Sequence, residues 1–171
     1  LCSYEHPEQT PPEGLGQRQA GERAHACAWA AAQFEINARD RGLPVQTRWV
    51  KEFLSDDPKS IIMESPHFGH LFSIVHIDDR PYLVDLTIGQ FVEADGRIFG
   101  YFERPPYTEN TEKRYTGKTI SNFPVLQSLI EHGCIPLTED LFVQYLKALT
   151  LDQTPERTQV IAQRVTAFLN G

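Results

Sequence analysis

The sequence predicts an α+β domain, and three features predict it. An alanine- and aromatic-rich segment early in the chain has helical character, two short apolar runs near the middle are punctuated as a hairpin, and the last third is helical. With 171 residues and 40% hydrophobic content the chain can bury one core, so residues 1–171 are expected to form a single domain.

Residues 1–18 are rich in Pro, Glu, Gln and Gly and read as an irregular lead-in. From about residue 23 to residue 39 Ala, Trp and Phe dominate a helix, which Gly42 and Pro44 stop. Residues 45–54 alternate as a strand would, with a short helix as the other reading. Strands are expected at 70–77 and 82–87 around Asp-Asp-Arg-Pro, and another at 97–103. Residues 104–120, with Pro105-Pro106, read as a long surface loop. Helices follow over about 122–132, ending at Gly133, then after Thr138, and finally from Thr154 as N-cap with Pro155 at the first helical position.

Composition narrows the function. A net charge of −7 and a pI near 5.3 give no basic surface to track phosphates, so nucleic acid is not an expected partner. No apolar run approaches the ~20 residues that cross a bilayer, so no membrane segment is expected. The N-terminus lacks the basic region and apolar core of a signal peptide, and it opens on Leu rather than Met, as a piece of a longer protein would. Cys2, Cys27 and Cys134 are odd in number and far apart, which suggests neither a disulfide framework nor a C-x-x-C metal site. No His-x-x-x-His pair points to zinc, and no cofactor is expected.

Cys27 stands near the start of the first helix, where unpaired amides and the helix dipole favour a thiolate. A buried cysteine filling an alanine-rich helix is the plainer alternative. His70 opens the first hairpin strand and Asp85 sits near the end of the second. Their separation is odd, so any even-length loop puts both on one face, directly opposed for a two-residue loop and diagonal for a four-residue loop. An aspartate among Leu83, Val84 and Leu86 needs a buried partner, and an imidazole N–H supplies one. Such a carboxylate fixes the imidazole tautomer and stabilises an imidazolium beside a thiolate. A purely structural His–Asp pair is the rival explanation. Gly69 would leave room for a substrate backbone, and His67 could take the place of His70 if the strand began earlier. His76 lies at the hairpin tip, while His6, His25 and His132 read as ordinary surface or satisfied residues. The Cys27 N–H is a natural oxyanion donor. Gln17 and Gln19 lie upstream without a telling spacing, and Gln90 and Thr87 either line the cleft or end the strand.

The order Cys27 on an N-terminal helix, His70 at a strand start and Asp85 on the next strand resembles the papain-like superfamily in its transglutaminase-like branch. Tyr82-Leu83-Val84-Asp85 resembles the second strand of arylamine N-acetyltransferases. The stretch from Asp85-Leu86-Thr87 to Gln90-Phe91 is similar to an Asp-[Leu/Ile]-Thr-x-x-Gln-Phe segment of bacterial transglutaminase-like proteins. The likeness covers residues 20–95, and in size it is nearest to bacterial toxin and effector domains that include glutamine deamidases and proteases. It implies a papain-like fold, with a nucleophile-bearing helix packed on a small antiparallel sheet and with C-terminal helices over 122–171. It implies a Cys27–His70–Asp85 triad, acyl transfer through a thioester, a protein substrate (a host protein among the candidates) and a secreted effector or toxin role in a target-cell cytoplasm. Transglutaminase or other acyl transfer to an amine, and an inactive papain-like binding module with the last helices as its partner surface, are the alternatives.

Overall fold

A computed structural model describes residues 24–56, 70–100 and 115–171, except for the side chains of residues 24–26 and 99. The lead-in and most of the long loop, with Cys2, His6, Gln17, Gln19, His67 and Gly69, lie outside the described residues.

The helix α1 (Ala24–Asp40) ends at the expected Gly42, whose φ of 72° suits glycine. The ambiguous stretch then holds both candidate elements, β1 (Val45–Trp49) followed by a single turn α2 (Lys51–Leu54). The hairpin is β2 (Leu71–Ile77) and β3 (Arg80–Val84), turning on Asp78 and Asp79 at φ of 50° and 60°. Two successive left-handed residues are the mark of a type I′ turn, which matches the twist of the strands it joins.

A second small ribbon pairs β4 (Arg97–Phe99) with β5 (Tyr115–Thr119), so the end of the expected loop is a strand instead. Sequence alone hid β5 because Gly117, Lys118 and two threonines give it no apolar run. The chain closes with α3 (Pro124–His132), β6 (Cys134–Pro136), α4 (Glu139–Leu149) and α5 (Pro155–Asn170). Thr138 and Thr154 cap the last two helices, each accepting a backbone N–H from three residues on.

The main sheet is antiparallel throughout, in the order β1-β2-β3-β6. Alternation along its two central strands divides the interior. Phe72, Ile74 and Leu83 face a large core shared with Phe53, Leu126, Phe142, Leu146, Ile161 and Val165 of the helices. Val75 and Val84 face the other way, with Ala38 of α1 and Phe34 packed on them. The chain is therefore α+β in three layers: α1, a small antiparallel sheet, and the C-terminal helices.

Gly133 does one job the sequence signalled only in part. Its φ of 74° ends α3, as expected, and its carbonyl then accepts the Asp85 N–H at 3.1 Å. The next residue begins β6, a strand too short to be expected from three residues.

Candidate functional site

The site lies at the end of the sheet where β2 begins and β3 finishes. His70 immediately precedes β2, and its carbonyl accepts the Val50 N–H at 2.9 Å, so its backbone is tied to the ladder. Asp85 immediately follows β3. The register sets Ser73 opposite Val84, so Asp85 falls opposite Phe72 and diagonal to His70. Direct opposition was expected of a two-residue loop. The loop does have two residues, but they are Asp78 and Asp79, one step past the midpoint between His70 and Asp85, with Ile77 still paired in β2, and so the pair is diagonal. The shared face was expected from the parity of the spacing.

Diagonal placement still brings the side chains together. His70 Nε2 and Asp85 Oδ2 are 2.6 Å apart, and both residues are almost wholly buried, at 1% and 2% exposure. The Tyr145 hydroxyl on α4 donates to the same Oδ2 at 2.8 Å. The Thr87 N–H donates to Oδ1 at 3.0 Å, with its hydroxyl at 3.4 Å. An ionised carboxylate has about four acceptor sites, and Asp85 uses all of them. These contacts fix its orientation, with one nitrogen of the imidazole bound to it.

Cys27, the fourth residue of α1 and 2% exposed, reaches the His70 imidazole in hydrogen-bonding contact. It does so across the end of the sheet, since α1 packs on the face opposite to the one His70 and Asp85 share with Leu83. A crevice beside the thiol is lined by Ala30, Ala31, Leu71, Ser73, Leu86 and Thr87. In a regular helix the fourth N–H is the first to bond within the ladder, so the open amides of this terminus belong to residues upstream of Cys27.

Electrostatics favours a charged ring. Burial pushes the His70 imidazole down, but the charge and hydrogen bond of Asp85, joined by those of Cys27, outweigh it and raise the group to about 9. Burial first, then Asp85, pushes the Tyr145 hydroxyl well above its ordinary value, so it stays protonated and donates.

Two contacts complete the surroundings of the ring. The Gln90 side-chain amide meets Nδ1 at 2.9 Å, and the Phe91 ring meets the imidazole edge to face, 4.8 Å between centroids. Both residues stand on a short 3₁₀ turn (Ile88–Phe91) whose ends, Ile88 and Phe91, are buried.

All three residues singled out from sequence, Cys27, His70 and Asp85, thus converge. Thr87, expected in the cleft or at the strand end, lines the crevice and also binds the carboxylate. Gln90, expected to line the cleft or end the strand, meets the His70 ring, and Tyr145 was missed. Its only signal was a hydroxyl on the apolar stripe formed by Phe142, Leu146 and Leu149, where a buried O–H must find an acceptor. One expectation about the cysteines is corrected: Cys134 is half of a disulfide, while Cys27 keeps its thiol. Spacing along the chain gives no measure of closeness in the fold, which is why this bond was not foreseen. His76 pairs with Pro81 near the hairpin tip, six residues along β2 from His70.

Among the described residues no group of three His, Cys, Asp or Glu side chains is placed to hold a metal ion. Also among them, no helix is long and apolar enough to cross a membrane. Comparison with family models, curated proteins and solved structures returned no match to this chain.

Proposed function

We propose that this chain is a cysteine-dependent amide hydrolase of papain-like, transglutaminase-like type acting on a protein substrate, as a side-chain glutamine deamidase or a protease. The observation that carries this reading is the clamped imidazole: Asp85 binds one ring nitrogen at 2.6 Å while the Cys27 thiol contacts the same ring. A purely structural His–Asp pair has no need of a thiol on its second edge.

In the proposed reaction the Cys27 proton resides on His70, giving a thiolate beside an imidazolium that Asp85 stabilises. The sulfur attacks an amide carbonyl carbon, and a C–S bond forms as the carbonyl electrons move onto oxygen. When the tetrahedral species collapses, the C–N bond breaks and His70 gives its proton to the departing nitrogen. A thioester remains. Water then loses a proton to His70 and attacks that thioester, and the released sulfur regains its resting form with a carboxylate as product. An amine in place of water would make the reaction a transamidation. By resemblance, the setting is a bacterial effector or toxin acting on a host protein.

The test is to incubate the protein with lysate of candidate host cells and follow intact masses of the lysate proteins, with Cys27→Ala as control. A Cys27-dependent gain of about one dalton per site is deamidation, and Cys27-dependent fragments are proteolysis. Adducts carrying an added amine would favour the acyl-transfer alternative. Identical spectra from the protein and its Cys27→Ala variant, across prokaryotic and eukaryotic lysates, would contradict the proposal.

A further inference from the structure

We infer that Gln90 is a positioning residue that shares the Nδ1 edge of His70 with Cys27, and so limits how much of the resting Cys27 is held as thiolate. The inference rests on the proposed nucleophilic role of Cys27.

An imidazole offers one in-plane hydrogen-bonding direction at each nitrogen. At Nε2 that direction is spent on Asp85, 2.6 Å away. Only Nδ1 remains for the thiol that contacts the ring, and Gln90 already meets Nδ1 at 2.9 Å through its amide nitrogen. With its amide nitrogen turned to the ring, Gln90 donates only to a bare Nδ1 lone pair and so favours a neutral ring, against the charged ring that Asp85 and Cys27 favour. An ion pair needs the reverse: a proton on Nδ1 pointing at sulfur. The two arrangements exclude each other. Each ring engaged by Gln90 in this way is a ring withheld from the thiolate.

Gln90 is held in place by the short 3₁₀ turn that carries it. Its own N–H bonds to the Thr87 carbonyl at 3.0 Å, and the buried Ile88 and Phe91 on either side fix the turn. The other titratable groups facing the imidazole are Cys27 from α1, Asp85 after β3 and Tyr145 from α4. Asp85 and Tyr145 act at the Nε2 side, which leaves Gln90 alone opposite Cys27 in the competition for Nδ1 among the described contacts.

The experiment is the pH profile of Cys27 alkylation by iodoacetamide in the unaltered protein, Gln90→Met and Gln90→Asn. Methionine matches glutamine in length but cannot donate, and asparagine keeps the amide but is one methylene too short for Nδ1. Both should move the acid limb of the profile to lower pH and make alkylation at pH 6 roughly three- to tenfold faster, as loss of one competing neutral hydrogen bond allows. A merely structural role would lower the melting temperature and leave the limb in place. An unmoved or upward-moved limb in both variants, with fast alkylation retained in the unaltered protein, overturns the role of Gln90 alone. Slow alkylation of the unaltered protein, no faster than that of unfolded chain, overturns the nucleophilic role of Cys27 and this inference with it.

Discussion

Tyr145 and Asp85 lie 60 residues apart in the chain, yet the tyrosine hydroxyl donates to the aspartate at 2.8 Å, onto the oxygen that also holds His70. The bond makes the C-terminal helices part of the site. Removing the hydroxyl leaves a buried carboxylate short of one donor, so Tyr145→Phe should lower stability by about 1–3 kcal/mol in urea unfolding. Turnover should fall with it, while Phe packing among Phe72 and Phe142 is kept. An unchanged midpoint and unchanged rate would deny the bond any role.

Asp85 sets the charge of its partner, so Asp85→Ala should do more than Tyr145→Phe. Breaking a buried ion pair by deleting one member costs about 3–5 kcal/mol. Asp85→Asn, which keeps the shape, should fold better and still lose activity by roughly 10⁴-fold, as a triad carboxylate does when it can no longer hold the imidazole tautomer. Near-native turnover in the Asp85→Asn variant would mean that the pair is structural.

The pH dependence follows from His70. Its value in the folded chain, about 9, lies above the ordinary 6.5, because Asp85 and Cys27 outweigh the downward push of burial. The folded state therefore binds this proton more tightly than the unfolded state. Its contribution to stability is fully present below pH 6.5 and is lost as pH rises through 9. Urea midpoints measured from about pH 6 to about pH 10 should fall over that window, and activity should show an alkaline limb near its upper end. In His70→Gln the fall in midpoint across the window should be much smaller.

The hairpin turn offers a test remote from the site. Asp78 and Asp79 both sit in the left-handed region, where a side chain costs about 1–2 kcal/mol that glycine avoids. Asp79→Gly should raise stability by about 0.5–1 kcal/mol, with Asp78→Asn adding a smaller gain. Cys27 alkylation should be unaffected. A loss of stability would mean that the aspartates make contacts worth more than their backbone strain.

What was legible in the sequence was local or periodic. Thr154-Pro155, Thr138 and Gly133 marked helix ends through capping chemistry that needs only neighbouring residues. The parity of 70 and 85 announced a shared face, and an aspartate in an apolar run announced a buried partner. What stayed hidden depends on contacts between distant segments. The place of the turn was set by pairing, which drew Arg80 and Pro81 into β3. β6 exists because Gly133 redirects the chain alongside Val84, and β5 because Thr119 finds Arg97. Tyr145 carries no mark that separates it from the other apolar-face residues of α4 except its oxygen. Gln90 lay within a segment whose likeness to other proteins was noted, but only the fold shows which ring nitrogen it meets.

The central claim is that His70 takes the proton of Cys27 and so makes its sulfur the nucleophile. Its most direct test is the rate of iodoacetamide incorporation at Cys27 at about pH 6, in the folded protein and in His70→Ala, with labelled sites located by peptide mass. The account predicts rapid Cys27 labelling in the unaltered chain and a drop of at least roughly tenfold in the variant. Equal rates in the two folded proteins would contradict it.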